Sequence, residues 1–223
     1  NNEYPSPEEI ASFKREYEIT RKIGIDGVIK VYNLKKFKHS LMMFLEDFGG
    51  KSLTKTLASR KLSLSEFLQL AIQITAILGE IHQKRIIHKD INPSNIIWNP
   101  ATDQVKIVDF GISAVLSLEN PAIFNPNVLE GTLAYMSPEQ TGRMNREIDY
   151  RSDFYSLGIT FYEMLFGFLP FQTTDTMELI HCHLAKTPKS PHEINHNIPK
   201  PVSEIIMKLM AKTAEDRYQS ARG

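Results

Sequence analysis

The stretch IIHKDINPSNII, residues 86–97, sets a polar loop between two pairs of isoleucines. Ile86–Ile87 and Ile96–Ile97 read as two short buried strands, because β-branched side chains pack well on a pleated, half-buried surface. Asp90 follows His88 by two residues and precedes Asn95 by five, so core packing at both ends can hold these groups rigidly. A second carboxylate, Asp109, lies in the Val- and Ile-rich run QVKIVDF (104–110) and opens DFG; a third sits in SPE (137–139). Rigid oxygen donors beside open space suit Mg2+, which takes one or two carboxylates and leaves its other positions to water and substrate phosphates. By residue type alone, Asn95 and Asp109 also fit turn caps.

Composition narrows the class. The 223 residues are 42% hydrophobic, enough to bury a substantial core as one large domain or two small ones. Lysine plus arginine and aspartate plus glutamate number 26 each, so no global field draws nucleic acid or an anionic membrane surface. A single cysteine excludes an internal disulfide framework and suits a reducing compartment. No stretch reads as the ~18 apolar residues of a membrane span, and no signal segment opens the chain, so a cytoplasmic domain is expected. The start at Asn1 and the stop at YQSARG, within a helical pattern, predict a piece of a longer protein.

Working outward, SPEEIASFKREYEITRKI (6–23) predicts a helix with a Ser6–Glu9 capping box and Pro7 in the first turn. Its apolar stripe runs Ile10, Phe13, Tyr17 and Thr20, with Glu16 on the flank. GVIKVYNL (27–34) and SLMMFLEDF (40–48) read as strands joined by the basic stretch Lys35–His39, and Gly49–Gly50 breaks the pattern. Residues 64–83 predict a second helix, boxed by Ser63 and Glu66, with Leu64, Phe67, Leu68, Ala71, Ile74, Leu78 and Ile81 as its buried face. NIIW and QVKIVDF form strands turned by NPATD, and residues 111–151 read as a long ordered loop, a feature that is usually functional. SDFYSLGITFYEMLFG (152–167) is apolar nearly all round, so a core helix is expected, with further helices at Met177–Leu184 and Val202–Met210. The fold class is α+β in two unequal lobes. The HCH run at 181–183 invites a metal reading, but positions i and i+2 of a helix face different ways, so a surface accident is expected and Cys182 is taken as inert.

HKDINPSN (88–95) and DFG (109–111) are similar to the catalytic loop and metal loop of protein kinases. GTLAYMSPE (131–139) resembles the end of their activation segment, DFYSLG (153–158) the start of their buried central helix, and GFLPF (167–171) the turn after it. EDRY (215–218) puts Arg217 where the family keeps an arginine paired with the glutamate numbered Glu139 here. Six such motifs stand in order over nearly the whole chain. HKDINPSN, VLEGTLAYMSPEQTGRMN and DYRSDFYSLG further resemble the kinase-like domain at the front of large bacterial signalling proteins that also carry an ATPase module, sensor domains and a histidine kinase.

The resemblance implies a bilobal fold, with residues 1–48 as the remaining β-rich small lobe and 49–223 as a mostly helical large lobe. It implies ATP-dependent phosphoryl transfer to Ser/Thr hydroxyls of a protein substrate, with ATP and Mg2+ as cofactors and attached signalling domains as partners. Asp90 then orients the substrate hydroxyl and accepts its proton, while Asn95 and Asp109 are metal ligands. His88 and Phe110 stack into a spine leading to Asp153. Glu16 pairs with an ATP-positioning lysine, a residue type that equally fits a solvated helix flank. Glu46 and Phe48 offer backbone groups to adenine, Ile97 packs beneath it, and Thr132 sits beside the substrate.

The sequence departs from the family at three points. No Gly-rich loop precedes the first helix, nor a strand lysine; both are expected upstream of Asn1. Lys89 replaces an arginine, and a point charge binds a loop phosphate less specifically than a bidentate fork, so loop phosphorylation is not expected to be the main on-switch. Asn92 replaces a lysine that steadies the transferring phosphate. A unit charge ~4 Å away is worth roughly 1 to 4 kcal/mol, so the rate falls roughly ten- to a thousand-fold. The alternatives are therefore a weakly active or inactive kinase-like module that binds nucleotide or a partner, and a small-molecule kinase of the aminoglycoside or choline type. The latter generally lacks SPE and DFYSLG.

Overall fold

The computed structural model describes residues 5–115, 133–143 and 146–223. Helix α1 (Pro7–Ile23) begins at the expected capping box: Ser6 Oγ accepts from the Glu9 amide (3.1 Å), and Glu9 Oε2 accepts from the Ser6 amide (2.7 Å). Gly24, at φ 60°, ends it in the left-handed conformation that glycine tolerates best. The helix packs against an antiparallel hairpin, β1 (Val31–Phe37) and β2 (Ser40–Leu45), with Lys35 opposite Met42. Contrary to expectation, Lys35–Phe37 belong to the strand rather than to the connection. The turn is only Lys38 (φ 54°) and His39, so the ladder closes with Phe37 opposite Ser40.

Strand β3 (Lys51–Ser52) leads into α2 (Leu53–Ser59), a helix the apolar pattern did not announce. Ser52 caps it and Leu53 is buried. Helix α3 (Leu64–Gln83) has the predicted Ser63–Glu66 box. Its buried face is rotated from the predicted one: Phe67, Leu70, Ile74, Leu78 and Ile81 are inside, whereas Leu68 is 37% exposed. Against the sequence expectation, α3 is long and apolar enough to cross a membrane by length and composition. Here its buried face packs on α4 and β6.

The isoleucine pairs form strands as predicted, but in different sheets. β4 (Ile86–Ile87) pairs with β7 (Ala114–Val115), while β5 (Ile96–Asn99) lies between β3 and β6 (Gln104–Ile107). Ile97 is half-buried rather than buried. Val108 to Phe110 lie beyond the end of β6. Between 111 and 151 the described residues form β7 and short 3-10 turns at Leu133–Tyr135 and Pro138–Thr141; Thr132 lies outside the described residues.

Helix α4 (Arg151–Phe166) is buried on nearly every side and ends at Gly167, φ 75°. Helices α5 (Thr176–Ala185), α6 (Pro191–Ile194) and α7 (Lys200–Leu209) follow; α6 was not foreseen. Gly158 lets α7 press onto α4, since a Cβ there would stand 2.7 Å from Met210 Cγ and 2.9 Å from Leu209 Cβ. The last residues, 217–223, run through bends and turns rather than the expected helix.

Candidate active site

The polar loop between β4 and β5 is held from below by one buried carboxylate. Asp153, in the first turn of α4, accepts from the backbone amides of His88 (2.9 Å) and Lys89 (2.7 Å) and faces His82 Nε2 at 2.8 Å. This grip fixes Lys89 at φ 68°, a left-handed conformation uncommon for a non-glycine residue and concentrated at functional sites. From the other side Gln140 Nε2 donates to the Lys89 carbonyl (2.9 Å), and Thr160 Oγ1 donates to the Ile91 carbonyl (3.3 Å). His88 is fully buried, its Nε2 against the Val108 carbonyl (3.1 Å) and its ring 4.7 Å from that of Phe110. It packs within the core.

Asp90 points into a cradle of carboxamides. Asn92 Nδ2 donates to Oδ1 (2.9 Å) and Asn95 Nδ2 to Oδ2 (2.8 Å); both amides also reach the Asp90 carbonyl, at 3.2 and 3.0 Å. Burial, the largest influence, and the nearby Asp109 push the Asp90 carboxyl up, against His88, Asn92 and Asn95. The Asn95 carbonyl accepts from the Val108 amide (2.9 Å), so the loop of Asp90 and the loop of Asp109 share one joint. Asp109 adopts φ 66°, and its Oδ1 accepts from the Gly111 amide (3.1 Å).

Glu16 comes to this same place. A Cβ built on Gly111 would lie 3.1 Å from Asp109 Oδ1 and 3.7 Å from Glu16 Oε2, which puts helix α1 beside the DFG loop. Burial first, and the Asp109 charge second, lift the Glu16 carboxyl to about 7. A residue on a fully solvated flank would show neither influence. Asp90, Asp109 and Glu16 thus form an acidic pocket whose donors are hard oxygens. Among the described residues no group of three His, Cys, Asp or Glu side chains could hold a metal ion, so a zinc-type cage is excluded there.

Glu46, Phe48 and Ile97 gather around Lys106 and Gly50. Glu46 Oε1 accepts from the Lys30 amide (2.7 Å) and Lys106 Nζ (2.7 Å), while its own amide donates to the Lys30 carbonyl (3.0 Å). The Phe48 carbonyl accepts from Asn99 Nδ2 (2.6 Å). Among the described residues these bonds leave the Glu46 carbonyl and the Phe48 amide unspent. Gly50 lets Phe48 and Ile97 close together: an added Cβ would meet Ile97 Cγ2 at 2.6 Å and Phe48 Cζ at 2.7 Å.

Several contributors escaped sequence reasoning. Lys106 and Asn99, which brace the Glu46–Phe48 wall, carry no local signal. Gln140 does, because Ser137 and Gln140 form a capping box in the S-x-x-Q pattern. Tyr135, whose hydroxyl donates to Glu163 Oε2 (2.5 Å), also feels the Asp90 charge. The HCH run is not a surface accident: His181 is exposed, but Cys182 and His183 are buried, with His183 Nδ1 3.0 Å from the Tyr155 hydroxyl. Glu139 and Arg217 form a buried bidentate pair, at 2.6 and 2.9 Å.

A family model described as "Protein kinase domain" matches residues 2–222. The chain belongs to the protein kinase domain family. Its relatives include the hybrid signal transduction histidine kinase G of Dictyostelium discoideum, 34% identical over 73% of this chain and 7% of that protein. A probable serine/threonine-protein kinase of Clostridium acetobutylicum is 30% identical over 99% of the chain and 33% of its own length. The serine/threonine-protein kinase PrkC of Bacillus subtilis is 31% identical over 95% and 32%. The chain thus spans about a third of these two kinases and far less of the first. Protein kinases use ATP and a divalent metal, and the α+β architecture described above is that of this family.

Proposed function

We propose that this domain transfers the γ-phosphoryl group of ATP to Ser or Thr hydroxyls of a protein substrate, with Mg2+ as the divalent metal. The joint at Asn95 carries the reading. One residue donates to the Asp90 carboxylate at 2.8 Å and receives the Val108 amide at 2.9 Å, so the proton acceptor and the metal loop form a single rigid unit. Phosphoryl transfer needs chiefly positioning and charge neutralisation, which rigid loops supply.

Asp90 orients the attacking hydroxyl and takes its proton. Asn95 Oδ1 and the Asp109 carboxylate would hold the metal. The fit is supported by their hard oxygen chemistry, by the small number of protein ligands, and by the repulsion that Asp109 exerts on Asp90 and on Glu16, which a cation relieves. Bound there, Mg2+ would neutralise phosphate charge. The Glu46 carbonyl and Phe48 amide receive adenine, and Ile97 packs beneath it. Thr132 is proposed beside the substrate hydroxyl, and Glu16 as the helix partner of an ATP-positioning lysine. Residues 1–48 and 49–223 act as the two lobes. The length of the relatives supports attached signalling domains, and the single buried thiol, Cys182, supports work in the reducing cytoplasm.

The test is transfer of labelled phosphate from ATP to the protein itself or a protein substrate, comparing the chain with its Asp90→Asn variant. Loss of a general base costs ~10²-fold or more, and undiminished transfer by the variant refutes the role. A second reading, a nucleotide-binding module without turnover, is favoured by Asn92, which supplies no cation to a phosphate. Metal-dependent ATP binding by a chain that transfers nothing selects it.

A further inference from the structure

We propose that Lys106 is a positioning residue for the segment Glu46–Phe48: its buried ammonium fixes the Glu46 side chain, so that the Glu46 carbonyl and the Phe48 amide stay aimed at the base of the nucleotide. The inference rests on the adenine reading above and deepens it. Lys106 lies in β6 directly opposite Ile97 of β5, and residues paired across a ladder share one face of the sheet. It therefore stands on the face that carries Ile97, beside Phe48, whose ring centre is 5.6 Å from Nζ. Only 7% of Lys106 is exposed, and its ammonium meets Glu46 Oε1 at 2.7 Å.

A lysine is almost never buried without a partner, because its charge loses hydration. Here the partner follows the last residue of β2, so the pair joins the β1–β2 hairpin to the sheet of β3, β5 and β6. The same Glu46 oxygen accepts from the Lys30 amide (2.7 Å), and the Glu46 amide donates to the Lys30 carbonyl (3.0 Å). Both bonds to this carboxylate are charge-assisted, and that of Lys106 alone joins two ions. At the other end Asn99, also of β5, donates to the Phe48 carbonyl (2.6 Å), while Asp47 Oδ1 accepts from the Gly49 amide (2.9 Å). Glu46 is thus held by its amide and its carboxylate, and Phe48 by its carbonyl. What remains is one acceptor and one donor, two residues apart. They match a base edge with an amino donor beside a ring-nitrogen acceptor, as in adenine; guanine carries an oxygen acceptor in place of that amino group.

Two variants separate positioning from bulk stability. Lys106→Met keeps the length and the apolar stem but removes the ammonium. Because that leaves the Glu46 carboxylate without its cation, a second variant pairs Lys106→Met with Glu46→Gln, which strands no charge and should melt close to the wild-type temperature. Isothermal titration of the intact chain with MgATP and MgGTP reads the base, and phosphoryl transfer reads the chemistry. In both variants the dissociation constant for ATP should rise about tenfold, while that for GTP, and transfer at saturating ATP, hold within about twofold. On the nucleotide-free chain, amide hydrogen exchange at Lys30 and Glu46 should quicken about tenfold. ATP affinity unchanged or improved, or ATP and GTP weakened alike, overturns the inference. So does exchange unmoved in both variants, which is read without any nucleotide. A wild-type chain that binds no ATP, with faster exchange in the variants, refutes the adenine reading alone, and the grip of Lys106 on the segment stands.

Discussion

Replacing Arg217 by alanine should cost this domain a large share of its stability, and the structure says why. The guanidinium is buried and every donor direction is used: Nε to the Ala211 carbonyl (2.8 Å), one amino group to Glu139 Oε1 (2.6 Å) and the Arg151 carbonyl (2.8 Å), the other to Glu139 Oε2 (2.9 Å) and the Lys212 carbonyl (3.1 Å). Removing one partner of such a pair strands a buried carboxylate, a loss of about 3 to 5 kcal/mol. That is a large part of the roughly 5 to 15 kcal/mol that domains typically possess. The assay is urea unfolding followed by circular dichroism at pH 7. The pH dependence supplies a second arm. In the wild type burial pushes the Glu139 carboxyl up, but Arg217 and Ser152 outweigh it and hold it below its ordinary value. Its contribution is therefore present above the unfolded value near 4.5 and lost as pH falls through the folded one. In Arg217→Ala burial, the largest influence, is opposed only by Ser152 and the Glu139 backbone amide, so the sign reverses and stability returns on acidification. The gap between the two proteins should narrow steadily from pH 7 to about 4.5. A loss under ~1 kcal/mol, or a gap that widens on acidification, refutes the argument.

Asp153→Asn keeps the shape of the side chain but replaces one carboxylate oxygen by a donor, which cannot accept from both the His88 and Lys89 amides. Phosphoryl transfer should fall by an order of magnitude or more, with a loss of ~2 kcal/mol in urea unfolding, and unchanged kinetics would show that the loop does not need this anchor. Asp109→Asn removes one charge from the acidic pocket. Isothermal titration should show ATP affinity losing its dependence on Mg2+, and the Glu16 carboxyl should fall from about 7 toward ordinary glutamate values because one of its two upward influences is gone. Retained metal dependence would relocate the site.

The elements most legible in the sequence were those whose cause is local. Ser6–Glu9 and Ser63–Glu66 announce α1 and α3 because a capping box is closed within four residues. The face of α3 was not legible to the same degree. Leu64, Leu68 and Leu70 offer competing stripes on a helix this apolar, and only packing against α4 and β6 selects Leu70 over Leu68. Helix α2, seven residues with Thr54, Lys55 and Thr56 on it, lacks a stripe of its own and depends on its Ser52 cap and on β3. The site divides the same way. Asp90 and Asn95 show in their isoleucine frame, while the grip of Lys106 on Glu46 spans sixty residues and that of Gln140 on Lys89 fifty-one. The Glu139–Arg217 pair came from resemblance, since no periodicity links residues seventy-eight apart.

One feature of α4 ties fold to site. A helix buried nearly all round should carry apolar residues only, because an unpaired polar group in the interior costs about 1 to 3 kcal/mol. Yet Ser152, Asp153, Ser156 and Thr160 are all buried in it. Each reaches a loop or a short 3-10 turn: Ser152 meets Glu139 (2.7 Å), Asp153 the His88 and Lys89 amides in addition to His82 of α3, Ser156 the Tyr135 carbonyl (2.8 Å), and Thr160 the Ile91 carbonyl. The polar loop and the SPE segment are thereby fastened to a helix buried in the core. Loops that hung only from the surface could shift independently, and a proton acceptor displaced by ~1 Å from its substrate loses ~10²-fold in rate. The polar residues of α4 are thus the means by which one core helix sets the mutual placement of two functional loops far apart in sequence.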